Sequence, residues 1–344
     1  MGHTKGIKWT TERLKELKRL KDFGLTAQEI ADALEMTVQQ IQTACWRHKI
    51  KKKRVLVLPD LKEVPPDDKL INLMISGQET IREFDPRQRE VYPVYDTDKW
   101  VGIPVFGDLH IDHYKTDLKS IVEDCEAVGE EEDVFPVING DLGDWADIRF
   151  PGYNLPSMII PIRLRYKLCF KILDKLKNLL AVTVGDHDDW LNNRGFFDMA
   201  VALQERRGEK GLKTYYMGYG GIINFKVGKQ VYRIALHHRY KHESKNNIFH
   251  PCMNFLKDHD FNCDVVAISH RHDMVGISYQ FVQHKPRIFI RAGSHQYLTD
   301  YAWKYGFRGA IAMSPMFLLN GAKKEMKACP NYKEGLEELK RLNK

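Results

Sequence analysis

The feature that most constrains this 344-residue chain is a pattern repeated five times between residues 103 and 272, in which a short apolar run stops and acids or histidines follow at once. Ile103–Phe106 leads into Gly107-Asp108-Leu109-His110, and Val134–Ile138 into Asn139-Gly140-Asp141-Leu142-Gly143-Asp144. Leu180–Val184 leads into Gly185-Asp186-His187-Asp188, Tyr232–Leu236 into His237-His238, and Val265–Ile268 into Ser269-His270-Arg271-His272. Short apolar runs bounded by turn residues read as strands. Strand ends that each deliver one or two oxygen or nitrogen donors are expected to meet at one edge of a sheet, where α/β architectures bind ligands. Five such ends in series predict a metal centre, because mixed carboxylate and imidazole donors suit borderline divalent ions such as manganese, iron and zinc. A glycine before each acid is read as the sharp turn that brings the carboxylate close to a cation.

In order, spacing and strand context, these motifs resemble those of the calcineurin-like metallophosphoesterases: Asp-x-His, Gly-Asp-x-x-Asp, Gly-Asn-His-Asp/Glu, a lone His and Gly-His-x-His. The resemblance covers roughly residues 101–300. It implies an α/β fold, a four-layer α-β-β-α sandwich of two mixed sheets between helices. It also implies that Asp108, His110 and His272 hold one metal, that Asp141 bridges, and that Asp186, His238 and His270 hold the second. The implied cofactor is two divalent ions, Mn²⁺ foremost, with Fe, Zn or Mg compatible. Ions about 3.5–4 Å apart lower the pKa of a water and bind phosphate oxygens as charge builds. By the same resemblance His187 is the general acid for the leaving oxygen, and Asp144 orients that histidine or a metal ligand. Three departures stand out. Position 186 is Asp where the family has Asn, which adds negative charge where phosphate approaches. Ser269 replaces a glycine that only passes the strand into its loop. The lone histidine is doubled, and His238 is preferred to His237 because the loop Arg239-Tyr240-Lys241-His242-Glu243-Ser244 follows it.

Charge separates a second module from this body. The chain has 53 Lys+Arg and 46 Asp+Glu, a net +7, but residues 1–54 hold 13 basic and 6 acidic residues, so the whole excess lies there. A basic module beside a neutral body points to a polyanion as partner. Leu14, Leu17 and Leu20 recur at helical spacing up to Phe23-Gly24, and Thr26 with Glu29 and Thr37 with Gln40 form two capping boxes. Val38, Ile41 and Cys45 share one face of the last helix. This is the layout of a helix-turn-helix, and with Trp9-Thr10 it resembles the small Myb-like and regulator-type three-helix domains. Its recognition helix would offer Gln39, Gln40, Gln42, Thr43, Trp46 and Arg47 to base edges, with Lys51, Lys52 and Lys53 on phosphates. A three-helix protein-interaction domain with a solvated basic face is the competing reading.

The expected organisation is a helix-turn-helix domain at 1–54, a proline-rich connector at 55–99, the phosphoesterase domain at 100–320, and a helical tail at 321–344 carrying Leu336, Leu339 and Leu342. Gly218-Tyr219-Gly220-Gly221 reads as a hairpin turn, and His242 and His295 as further pocket candidates. The six cysteines include no Cys-x-x-Cys pair and read as reduced thiols. No apolar run approaches the roughly 20 residues of a membrane span and the N-terminus is polar, which predicts a cytoplasmic protein without membrane contact. No heptad repeat supports a homo-oligomer. A DNA reader fused to a phosphoesterase resembles the nuclease branch of the family, of bacterial or phage type, and implies a DNA exo- or endonuclease. The alternatives are a phosphatase or small-molecule phosphodiesterase with the same site, and a DNA-binding regulator with a degenerate phosphoesterase body.

Overall fold

All five apolar runs contain β-strands, but the strands divide between two sheets. A computed structural model describes residues 9–22, 25–50, 67–84, 87–145, 160–195, 198–244, 246–306 and 309–344. The chain forms two units, Met1–Glu83 and Phe84–Lys344.

In the larger unit, one sheet has the spatial order β13 (Met326–Cys329), β12 (Met316–Asn320), β3 (Trp100–Phe106), β4 (Val137–Asn139), β5 (Ala181–Thr183) and β6 (Tyr215–Tyr216). From β3 to β6 the strands are parallel, and β12 and β13 add an antiparallel margin. The other sheet runs β1 (Glu90–Val91), β7 (Gly220–Val227), β8 (Gln230–His237), β9 (Val265–Ile268), β11 (Lys285–Arg291) and β10 (Gly276–Val282), and β2 (Val94–Tyr95) also pairs with β7. Alternation along the strands sorts side chains to two faces. Val101, Ile103 and Val105 of β3 and Phe317 and Leu319 of β12 meet Ile223, Phe225, Ile234, Leu236, Val265 and Ile290 of the opposite sheet. Phe106, Met316 and Leu318 point the other way, onto α5 (Leu118–Gly129), α6 (Ile162–Leu173), α8 (Met199–Glu209) and α11 (Tyr332–Leu342). On the far side, Cys252, Phe255 and Leu256 of α9 (His250–Asp258) cover Ala235, Val266, Ile268 and Phe289. The result is an α-β-β-α sandwich, the architecture implied by the sequence resemblance.

Because three of the five ligand-bearing strands belong to one sheet and two to the other, their ends meet at the shared edge of the sandwich and not at one edge of a single sheet. Asn139 joins the two halves there. Its carboxamide accepts the Thr183 hydroxyl at 3.0 Å and donates to the carbonyls of His237 (3.1 Å) and Ala267 (3.3 Å) and to Ser269 Oγ (3.0 Å). Ser269 therefore does more than pass a strand into a loop. Gly218-Tyr219-Gly220-Gly221 is also not a hairpin turn, since it carries the chain from β6 in one sheet to β7 in the other. The C-terminal segment supplies an edge strand and α11, whose Leu336 and Leu339 are buried, and the Asn343 carboxamide brackets the backbone N–H and carbonyl of Trp100 at 2.9 Å each. All six cysteines are free thiols, four of them buried.

The smaller unit contains α1 (Thr11–Asp22), α2 (Ala27–Ala33), α3 (Val38–Arg47) and α4 (Asp67–Phe84). Leu17, Ile30, Ala31, Ile41 and Ala44 form its core. Both expected capping boxes are present, on Thr26/Glu29 and Thr37/Gln40. Glu35 at φ 52 makes the tight turn between α2 and α3. Phe23-Gly24 and most of the connector before Asp67 lie outside the described residues. Within the connector, α4 carries Ile71, Leu73, Met74 and Ile75 exposed. Among the described residues, no helix is long and apolar enough to cross a membrane.

Replacing Asn139 by Leu would leave the buried Thr183 hydroxyl and two carbonyls short of partners. The expected cost is roughly 1–3 kcal/mol, read as a lower denaturant midpoint for the larger unit. An unchanged midpoint would show that the sheets need no polar link at this edge.

Candidate metal centre

Two buried carboxylates organise the site, and each uses one oxygen for its own anchorage. Asp141 Oδ1 accepts the His187 N–H at 2.8 Å, at the start of α7 (Asp186–Gly195), where unpaired amides and the helix dipole favour an anion. Asp108 Oδ2 accepts the His270 N–H at 3.0 Å. The second oxygens face imidazoles. Asp141 Oδ2 lies 3.3 Å from His238 Nε2 and 3.8 Å from His110 Nε2, and Asp108 Oδ1 lies 3.5 Å from His272 Nε2. His110 Nε2 and His272 Nε2 are 3.3 Å apart.

Three groups of donors each lie within 4.8 Å: Asp108, His110 and His272; His110, Asp141 and His187; and Asp141, His238 and His270. Asp108 Oδ1 and His238 Nε2 are buried without a hydrogen-bond partner. Buried polar atoms are normally satisfied, so a carboxylate oxygen and an imidazole nitrogen left without partners among other donors fit a cation site. Outside contacts fix which ring nitrogen faces inward: His238 Nδ1 lies 3.0 Å from the Asn139 carbonyl, which leaves Nε2 for the site. His237 stands apart, its ring beside Tyr240 and Phe255, and burial pushes its pKa down to about 4.

The charges are mutually compensating. Burial would raise the Asp141 pKa, but the imidazoles of His238, His187 and His110 outweigh it and hold the carboxyl well below the usual range. Asp108 is lowered by His272 and His238 against the same burial effect. In return, His238 rises to about 10 because Asp141 and Asp108 overcome its desolvation, while burial and His238 push His270 down to about 4.

Asp144 touches two rings, with Oδ1 3.2 Å from His187 Nδ1 and 3.4 Å from His110 Nδ1. His187 is further held by the ring of Trp190, centroid to centroid 4.0 Å. Asp186 is outside all three donor groups. Its Oδ2 is 3.2 Å from Arg239 Nη1 and 3.7 Å from His270 Nδ1, at the mouth of a cleft of about 430 Å³ that Tyr219, His238 and His242 also line. The His295 ring faces Asp124 instead, at 3.5 Å.

Asp108, His110, Asp141 and His270 have φ between 43° and 71°, a region L-residues seldom occupy, and such strain collects at functional sites. The left-handed turn thus falls on the acids Asp108 and Asp141 themselves. The glycine of Gly185-Asp186 serves a different need: a Cβ there would come within 2.1 Å of Asp141 Oδ1. Of Gly107, Gly140 and Gly185, which precede the acids, only Gly140 meets both demands, with φ 85° and His238 Nδ1 only 2.3 Å from a would-be Cβ.

Several supports had been given no role from the motifs. Asp188 receives N–H groups from Leu142, Gly185 and the Trp145 indole, and so binds the Asp141 turn to the start of α7. Asp112 accepts the Asp144 N–H at 2.5 Å and pairs with the fully buried Arg165 of α6 at 2.6 Å. Asp112 lies two residues after His110, a spacing that could have singled it out, but Arg165 sits 53 positions further on with no local signal.

In the smaller unit, Gln39, Gln42, Thr43, Trp46 and Arg47 are exposed along α3. Gln40 accepts the Thr37 N–H at 2.8 Å, and the Thr43 hydroxyl donates to the Gln39 carbonyl at 2.7 Å, so both polar groups are engaged within the helix. Lys51, Lys52 and Lys53 lie outside the described residues.

No family model and no curated protein matches the chain. Similar solved structures include Vps29 from Chaetomium thermophilum, 11% identical over 67% of this chain and 96% of that one, TM-score 0.35. A protein serine/threonine phosphatase from Saccharomyces cerevisiae is 15% identical over 78% and 90%, TM-score 0.35. Nuclease MPE from Pseudomonas putida is 13% identical over 66% and 87%, TM-score 0.29. Scores this low leave the chemistry of the site to be read from its own side chains.

Titration of the metal-free protein with Mn²⁺ should give two bound ions by calorimetry. Since His238 titrates near 10 without metal and must be neutral to ligate, uptake below that pH should release a proton, and affinity should rise as pH rises. Asp141→Ala, which removes the carboxylate common to two groups, should lower the stoichiometry, and His237→Ala should not. One ion or none in the unaltered protein would contradict the two-site geometry.

Proposed function

We propose that the protein is a metal-dependent phosphodiester hydrolase acting on DNA, as an exo- or endonuclease. The observation that carries the reading is the convergence of Asp108, His110 and His272 with Asp141, His238 and His270 on adjoining donor groups. These residues would hold two divalent ions, Mn²⁺ foremost, with Asp186 at the rim beside His270. Bound cations of this kind lower the pKa of water and neutralise phosphate oxygens.

The protein's own contribution is orientation and proton delivery. Backbone N–H groups of His187 and His270 fix the two carboxylates, and Asn139 fixes His238. Asp144 holds the Nδ1 side of His187. Burial disfavours charge on that ring, but Asp141 and Asp144 prevail and raise its pKa to about 10, so it stands protonated at neutral pH. As a water oxygen bonds to phosphorus and the ester P–O bond breaks, His187 can give its proton to the departing oxygen.

The substrate assignment rests on the smaller unit. Its first 54 residues carry a net charge of +7, equal to that of the whole chain, and α3 presents Gln39, Gln42 and Arg47 at its surface. Gln and Arg suit base edges in the major groove. The cleft of about 430 Å³ favours a second reading, since that size suits a small phosphodiester or phosphomonoester.

With Mn²⁺, the protein should hydrolyse bis-para-nitrophenyl phosphate and cut DNA, and Asp108→Ala and Asp141→Ala should do neither. Cleavage of the small diester without cleavage of DNA would select the second reading. His187→Gln should slow DNA cleavage by about 10²–10⁴-fold and the nitrophenyl ester far less, because nitrophenolate departs without a proton. Equal losses on both would remove His187 as the acid. Arg47→Ala with Gln39→Ala should weaken duplex binding by roughly tenfold in an anisotropy titration; unchanged binding would relocate the DNA contact.

A further inference from the structure

Two chain segments fastened to the ligand loops carry an unusual concentration of exposed rings. Tyr114 (44% exposed), Tyr297 (59%), Trp303 (75%) and Tyr305 (56%) all lie on them. Single exposed aromatics are ordinary, but four on two interlocked segments fastened to the donor loops invite a partner. The first segment leaves His110 directly: the Thr116 hydroxyl donates to the His110 carbonyl at 2.8 Å. The second begins where the Ser294 hydroxyl donates to the Asp108 carbonyl at 2.6 Å and returns where the Ile311 N–H donates to the His272 carbonyl at 3.0 Å.

The two segments also hold each other. Thr116 bridges Gln296, the Tyr297 N–H donates to the Lys115 carbonyl at 2.6 Å, and Lys115 Nζ donates to Asp300 Oδ1 at 2.8 Å. Asp300 opens the short helix α10 (Asp300–Lys304), and Trp303, three residues on, shares its side. The Tyr297 hydroxyl donates to Asp117 Oδ2 at 2.9 Å, which fixes the ring in place while most of it stays exposed. Rings pre-positioned in this way lose little freedom on binding.

We propose that Tyr114, Tyr297, Trp303 and Tyr305 form a stacking platform for a single-stranded nucleic-acid segment, which leads its backbone to Asp108, His110 and His272. The chemistry is complementary: every base offers a π-face to an aromatic ring, and Lys115 beside the Tyr114 ring and Lys304 beside the Tyr305 ring put positive charge on the same segments. In a duplex the base faces are covered by their neighbours, so the platform discriminates in favour of unpaired or frayed strands. The proposal rests on the phosphodiesterase reading of the neighbouring site, but it is tested by binding alone.

The full-length protein, with metal chelated so that nothing is cut, is titrated into a fluorescein-labelled oligothymidylate and a duplex of equal length, and anisotropy is read. Tyr297→Ala with Trp303→Ala should weaken single-strand binding by about tenfold or more per ring, with the duplex little affected because the smaller unit would hold it. Trp303→Phe should keep most of the affinity, which separates loss of a stacking surface from loss of fold. No single-strand binding by the unaltered protein, no loss in the double variant, or an equal loss on both ligands would overturn the platform, the last pointing to a general structural or electrostatic effect. A preserved single-strand effect in a protein that hydrolyses no phosphodiester would instead refute the activity and leave the platform standing.

Discussion

Burying two carboxylates at the edge of a sandwich is the constraint on which the site depends. An isolated buried carboxylate costs several kcal/mol, enough to erase the stability of many domains. Here Asp108 and Asp141 each receive a backbone N–H on one oxygen and face imidazoles with the other. Protons on His187 and His238 balance part of the charge when no metal is bound. Divalent cations would complete the balance more strongly, so the same arrangement that keeps the ion-free chain folded prepares it to bind metal.

The supporting structure is built to hold that arrangement against its own strain. Left-handed backbone at Asp108, His110, Asp141 and His270 persists only where neighbours over-determine it. Asn139 fixes the ends of β4, β8 and β9 together, Asp188 ties the Asp141 turn to the first turn of α7, and the buried Asp112–Arg165 pair backs the N–H of Asp144. A ligand set carried on five strands from two sheets is therefore positioned by one connected network of hydrogen bonds.

Asp186 shows how a further carboxylate is accommodated at the rim. A carboxylate at this position adds negative charge beside the second donor group, and Arg239 sits 3.2 Å from it at the cleft mouth. Both groups are substantially exposed, so the pair contributes little to stability. Its effect is local: it offsets one negative charge at the cleft mouth.

The motif series made the donor residues legible, because each apolar run is a strand and the residue after a strand end must lie at a sheet edge. The capping boxes of the smaller unit were equally legible, since an N-cap is satisfied within four residues. Local sequence could not say that the strands would separate into two sheets or that Gly218–Gly221 would cross between them. Nor could it reveal Arg165 or the role of Ser269, whose partners lie 53 and 130 positions away. Sequence by itself determined which oxygen- and nitrogen-bearing side chains stand at the strand ends, because that depends on residue type and on the extent of each strand, although Asp186, expected as a ligand, lies outside the three donor groups. Only the tertiary structure decided which oxygen or nitrogen of each faces inward, because that depends on backbone amides and carbonyls brought from distant parts of the chain.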